Sequence, residues 1–453
     1  MRRYLSILCC VLLLFGCKGK TKKASDTSPV DLHHPEWSYN SVVYEVNTRQ
    51  FSPEGTFEGV RKQLPRLKEL GVDVLWLMPI YEIGKEGRKG TLGSYYAVAD
   101  YKKTNPDFGT MEDFQRLLDE AHSQGFKVIL DWVPNHTSPD NVWMKEKPAD
   151  FYERDSLGNA KFDYDWDDTR SLNYENREVW KAQDECMRFW LKKGVDGFRC
   201  DVAGEVPSIF WNTILPAMKK DYPQMYLLAE AEKPDIANPD SAFDATYAWE
   251  LHHILNDVAQ GKKAPRDIKE YVVEDSRKFP STAFRLMFTS NHDENSWNGT
   301  EFERMGDAAE AMQVLCFTLP KGQPLVYTGQ EIGLDRRLKF FEKDPISDWT
   351  SNAHTEFFKK LIAFRHANAK ALSAGEMGAD AKFLSISSFQ GVLCYSREKD
   401  GNGVIVIANL SKEPTEATIN LDGKYKEAFS GKTYSDVQSL KLKPWEYLLL
   451  SKQ

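Results

Sequence analysis

Met111-Glu112-Asp113-Phe114-Gln115-Arg116-Leu117-Leu118-Asp119-Glu120-Ala121-His122 is followed, after a short polar turn, by Val128-Ile129-Leu130 and then Asp131. The first segment repeats its apolar residues every three to four positions and predicts an amphipathic helix. The second is a short unbroken apolar run, as expected of a strand covered on both faces. An acid stands where that strand stops.

The same rhythm extends outward from Ser41 to about His366. Apolar runs occur at Val42–Val46, Val72–Met78, Val128–Leu130, Val195–Phe198, Tyr226–Ala229, Phe284–Phe288 and Leu325–Tyr327, with a weaker one near Phe243–Ala248. Helical patterns such as Phe57–Leu70, Met111–His122, Val179–Lys192 and Ala308–Leu319 lie between them. Strands alternating with helices predict a parallel sheet, and eight such units over roughly 300 residues fit a closed (β/α)₈ TIM barrel better than an open sheet. Two stretches break the pattern. Residues 135–172 are rich in Asp, Asn, Trp and Tyr and predict an inserted lobe after the third strand. From residue 372 short alternating strands, as in Gly403–Ala408, predict a C-terminal antiparallel β-sandwich. The catalytic barrel is thus expected over 37–371 and the sandwich over 372–453.

The chain has 453 residues, ample for a large core and a smaller companion domain. Its net charge is −8, and −10 once Arg2 and Arg3 leave with residues 1–16, so a nucleic-acid partner is disfavoured. Arg2-Arg3, the apolar run Leu5–Phe15 and Leu14-Phe15-Gly16-Cys17 read as a signal segment, too short to span a bilayer as a mature helix. The run resembles a bacterial lipobox, which implies a lipid anchor on Cys17 and membrane attachment in the cell envelope; a plain secretory signal is the alternative. Residues 18–36 are Lys-rich and predict a flexible tether. Lys18, Lys20, Lys22 and Lys23 stand where some surface-exported lipoproteins carry acids, which favours the periplasmic face. Cys186, Cys200, Cys316 and Cys394 have no metal-ligand spacing and are expected as buried thiols.

Polar residues cluster just past the apolar runs: Asp131, then Arg199 and Asp201, then Glu230, then Asn291-His292-Asp293, then Gln330 and Glu331. Any one of them could cap the next helix. Five strand ends delivering such groups to one rim point to a catalytic face. Cleaving a glycosidic bond needs two carboxyl groups in opposite protonation states. Arg199, two residues before Asp201 on the same strand face, is expected to keep Asp201 ionised. Apolar neighbours and Glu232 are expected to raise Glu230.

Asp131-Trp132-Val133-Pro134-Asn135-His136, Gly197-Phe198-Arg199-Cys200-Asp201, Glu230 and Asn291-His292-Asp293 resemble, in order, the four signature regions of the α-amylase family. Residues 43–47, 71–80, 96–101 and 329–333 resemble it too. The resemblance implies Asp201 as nucleophile, Glu230 as acid and then base, and Asp293 as a grip on sugar hydroxyls. It implies Arg199 orienting Asp201, His136 and His292 bonding the sugar, and Tyr96 stacking beneath it, with Asp131 structural. The substrate implied is an α-glucan or maltooligosaccharide, and the chemistry needs no cofactor. Gly204 and Glu205 replace the Lys-His of typical α-amylases, and Asp201–Val206 is nearer to neopullulanases, cyclomaltodextrinases and maltogenic amylases. Their usual N-terminal β-domain has no room before residue 41. A structural calcium between lobe and barrel is not favoured, because Ser171 stands where a ligating aspartate is usual; Asn135 keeps its place, and Asp165, Asp167 or Asp168 are alternative acids. Two other readings stay open: a transglycosylase or isomerase of the same family, and a non-catalytic glucan-binding protein.

Overall fold

The computed structural model describes residues 33–453 apart from Ser241 and Phe389; the signal run, Cys17 and most of the tether lie outside the described residues. Among the described residues eight parallel strands close a barrel: β1 Val43–Val46, β2 Val74–Leu77, β3 Lys127–Trp132, β4 Gly197–Cys200, β5 Tyr226–Ala229, β6 Ala245–Tyr247, β7 Phe284–Met287 and β8 Gly322–Tyr327. Closure is direct, with Val43 of β1 opposite Val74 of β2 on one side and Leu325 of β8 on the other. Side chains alternate along each strand. Val74, Trp76, Ile129, Leu228 and Leu286 fill the interior, while Leu75, Val128, Leu130 and Leu227 face the helical layer. That alternation sets the direction of every polar residue at a strand end.

The helix over Met111–Ser123 begins with a capping box between Thr110 and Asp113 and buries Phe114, Leu117, Leu118 and Ala121. Phe57–Leu70 is two helices, Phe57–Arg61 and Leu64–Leu70, because Pro65 fits only in the first turn of a helix. β4 starts two residues later than the apolar run. Gly197 opens it with φ 154°, and a Cβ there would lie 1.9 Å from the Tyr226 carbonyl oxygen. Only glycine lets β4 and β5 approach so closely. In consequence Arg199 lies within the strand and points into the barrel.

The tether expected over 18–36 ends sooner than its composition implies. His34 is buried, with Nδ1 2.8 Å from Asp244 Oδ1, Nε2 2.7 Å from the Thr282 carbonyl and its ring stacked on Phe284. The lobe is joined to the barrel by a short antiparallel pair, His136–Thr137 with Arg170–Ser171.

After the helix Ala353–Ala367 the chain forms β9 Lys382–Phe383, β10 Val392–Lys399, β11 Asn402–Asn409, β12 Thr415–Glu427, β13 Thr433–Leu442 and β14 Tyr447–Lys452. They make one antiparallel sheet in the order β9-β10-β11-β14-β12-β13. One face, with Tyr395, Val406 and Leu449, joins the main core. The other, with Cys394 and Ile407, packs on Ala417, Ile419 and Val437 of the far strands. The two layers thus come from a single sheet doubled over. Buried Arg397 ties this domain to the barrel, donating to the carbonyls of Thr318 (2.9 Å), Leu319 (3.0 Å) and Ala379 (2.7 Å). Cys186, Cys200, Cys316 and Cys394 are buried free thiols.

Candidate active site

The C-terminal strand ends supply one cavity of about 550 Å³. Asp201 follows β4, Glu230 follows β5, and His292 and Asp293 follow β7. Tyr96 comes from the excursion after β2 and His136 from the lobe after β3. All six line it, with Arg199 fully buried beneath them. A larger recess of about 1120 Å³, bounded by the lobe, holds none of these six side chains.

Arg199 organises the floor. Its Nη1 donates to Asp131 Oδ1 and to Asp201 Oδ1, both at 2.9 Å, and its Nε to the Tyr247 hydroxyl at 3.2 Å. Its Nη2 lies 2.8 Å from Glu230 Oε2, which also accepts from the Val202 amide at 2.8 Å. Asp131 accepts further from Trp76 Nε1 and the Tyr96 hydroxyl, each at 3.1 Å. The guanidinium therefore serves nucleophile and acid candidates alike and does not keep Asp201 ionised on its own. Burial pushes the Asp201 carboxyl well above the aspartate range against the pull of Arg199, and the nearby Glu230 adds to the rise. Burial also lifts Asp131 to about 6, with Arg199 opposing. One cation thus faces three carboxylates, and burial opposes charge on both Asp131 and Asp201.

The two histidines differ. Burial lowers His136 to about 4, so it is neutral. Burial also acts against charge on His292, but Asp293 and Glu45 outweigh it and raise the group to about 9. Its Nδ1 sits 2.5 Å from Glu45 Oε1, and its Nε2 lies 2.7 Å from the Tyr96 hydroxyl and 3.3 Å from Asp293 Oδ2. The Tyr96 ring runs nearly parallel to His292 and Phe340 at 23° and 16°. It therefore belongs to the wall as well as facing the cavity.

Glu45 was not singled out by the sequence, although an acid inside an apolar strand run was the available sign. It points inward from β1 and is fully buried. Lys89, Trp166, Asp168, Trp297 and Phe340 also line the cavity. Trp297 sits in a single π-helical turn, Glu294–Asn298, and the others come from loops, where sequence spacing carries no position.

A closed β/α barrel with a carboxylate cluster at its C-terminal rim and a lobe after the third strand defines a glycosidase-type catalytic domain. The alpha amylase catalytic-domain family matches residues 24–156 and 159–356, and the maltogenic amylase C-terminal domain matches 381–449. An alpha-amylase, MalA, from Haloarcula japonica is 30% identical over 396 residues, covering 84% of this chain; the chain spans 57% of that protein's length. The crystal structure of an alpha-amylase from Lactobacillus plantarum is 30% identical with a TM-score of 0.81, over 91% of this chain and 99% of that one. A noncanonic maltogenic alpha-amylase, AmyB, from Thermotoga neapolitana is 27% identical with a TM-score of 0.82, over 91% and 98%. The chain belongs to the α-amylase family of glycosidases, which act on O-glycosyl bonds.

At the calcium position implied by the family the polar side chains bond to one another. Asn135 Nδ2 donates to Asp163 Oδ2 at 2.9 Å, and Ser171 Oγ donates to the same oxygen at 3.0 Å. Asp167 and Asp168 pair with Lys89 instead, and the Asp165 carbonyl accepts from the same ammonium. Asp163 is the one carboxylate that Asn135 and Ser171 both reach, and calcium affinity falls as carboxylates are removed.

Proposed function

We propose that the protein is a retaining glycoside hydrolase cleaving α-1,4-glucosidic bonds in starch-derived glucans or maltooligosaccharides, with α-1,6 bonds as a second linkage class. The observation that carries this reading is one guanidinium holding Asp201 and Glu230 together on the floor of a cavity that also contains Asp293. Two carboxyls held by one cation favour the short separation of a retaining pair over the wider gap that admits an attacking water. In this mechanism Asp201 attacks the anomeric carbon, and Glu230 protonates the leaving oxygen. Glu230 then takes a proton from the water that releases the sugar. Charged His292 and Asp293 bond the ring hydroxyls, and neutral His136 lines the same subsite. The retention of all three carboxylates argues against a binding-only role.

Asp201→Asn is expected to lower kcat by several orders of magnitude, as loss of a nucleophile does, with an unchanged melting curve. Glu230→Gln is expected to be as damaging on maltooligosaccharides but much less so on an α-glucosyl fluoride, whose leaving group needs no acid. Proton NMR of the first product should show the α-anomer. A β-anomer, or near-normal turnover in Asp201→Asn, overturns the mechanism. Product profiles on starch and pullulan decide the linkage.

A further inference from the structure

The cavity has a wall opposite its reacting carboxylates, and its construction bears on which end of a glucan chain enters. Asp201 and Glu230 follow β4 and β5. In an eight-stranded ring the strands across from these are β8 and β1. On that side the segment 84–93 runs from the lobe to the loop after β8 and is fastened at both ends. On the lobe side, Asp140 Oδ2 accepts from the amides of Lys85 (2.8 Å) and Glu86 (3.3 Å). Lys89 Nζ donates to the Asp165 carbonyl at 2.8 Å and lies 3.1 Å from Asp167 and 3.4 Å from Asp168. On the other side, the Leu92 amide donates to the Phe341 carbonyl at 3.1 Å and the Thr91 amide to Glu342 Oε1 at 2.9 Å. Arg49 Nη1 clamps the join, donating to the carbonyls of Gly93 (3.0 Å) and Phe340 (2.8 Å). A side chain at Gly90 would strike both Glu342 and Phe341, so the two segments are in contact there.

A pyranose with C1 at Asp201 and its ring laid across the cavity would extend its C4 towards this side, because β8 lies opposite β4 in the ring. An endo-acting site has to let the chain continue past C4, and on this side Lys89 of the strap lines the cavity. Lys89 and Asp168 both line the cavity. Asp168 is buried and its Oδ2 has no protein partner. An ammonium donor beside an under-used carboxylate acceptor suits a free 4-hydroxyl, which both accepts and donates, whereas the ether oxygen of an internal sugar has no proton to give the carboxylate. We infer that the strap 84–93 makes this an exo-acting site, which takes an α-glucan by its non-reducing end and releases short products, with Lys89 and Asp168 reading the terminal hydroxyls. The inference rests on the glycosidase reading above.

The test uses maltoheptaose carrying a fluorophore at its reducing end, in two forms. In one the non-reducing sugar is free; in the other its 4- and 6-hydroxyls are tied as an acetal. The free form should be shortened stepwise, giving labelled products that shrink by a constant increment, while the blocked form is left intact. Lys89→Ala should lower kcat/KM on the free form by about tenfold to a hundredfold, as loss of a charge-assisted hydrogen bond does, and Asp168→Asn should act in the same direction. A Lys89→Ala enzyme that keeps wild-type kcat/KM on the free form removes the terminal-reading role. Cleavage of both forms at similar rates, with internal products from the start, overturns the exo inference and leaves the glycosidase standing. Cleavage of neither form, nor of maltotriose, removes the glycosidase reading and this inference with it.

Discussion

His136 and His292 line the same cavity, yet one is neutral and the other an imidazolium. Glu45 and Asp293 make the difference, and neither the spacing nor the motif around each histidine distinguishes them. Because the folded value of His292, about 9, exceeds the ordinary histidine value of about 6.5, folding takes up a proton there. That stabilisation is complete below pH of about 6.5 and is lost as pH rises through about 9. Burial raises Glu45 as well, so the pair keeps its proton into the alkaline range. Glu45→Gln is expected to move the alkaline fall in Tm, and the alkaline limb of kcat against pH, to lower pH. An unmoved limb would mean that another group titrates there. The inward placement of Arg199 and Asp201 was readable because the alternation of a strand fixes direction. Arg199 and Asp201, two apart, both turn inward. The rise of the Asp201 carboxyl was not readable, because it comes from burial and because Arg199 touches Glu230 as well, a contact between strands.

The lobe shows what a change of one element does to a shared architecture. Its neck is a two-residue pair, and Asp163 closes it by accepting from Asn135 and Ser171. With that clasp in place, dialysis against EDTA is expected to leave Tm within about a degree, with or without added calcium, since only binding to the folded state raises Tm. A fall of about ten degrees on chelation that calcium restores would show a real site. Asp163 escaped notice because nothing periodic surrounds it. Among regular elements the losses were at edges. Pro65 divided an apparently continuous helical pattern, and Gly197 delayed β4 until the chain could lie against Tyr226. Both follow from backbone sterics, which hydrophobic periodicity does not report.

At the scale of the molecule, the barrel and the C-terminal sheet share one core through Tyr395, Val406 and Leu449. The passage from barrel to antiparallel sheet towards the C-terminus was legible because the period of the apolar pattern changes from helical to alternating. How one sheet doubles into two layers was not, since strand order depends on pairings far apart in sequence. No helix among the described residues is long and apolar enough to cross a membrane. We propose that the protein is instead held in the bacterial cell envelope by lipid on Cys17, at the periplasmic face. The full-length protein expressed in a Gram-negative host should partition into the detergent phase, and Cys17→Ser should move it to the aqueous phase. Equal partition of the two would exclude the anchor.

Ring closure has a consequence in time. Gln323 reaches back to Ser41 across 282 positions, and Val43 pairs with Leu325. During synthesis the first strand therefore waits for the eighth, with one of its edges unmet until most of the polypeptide has been made. Glu45 waits as well, because His292 arrives almost as late. Contacts of such long range make for slow acquisition of structure and an extended interval of exposure to wrong partners. Under the envelope location proposed above, that delay also keeps the chain threadable.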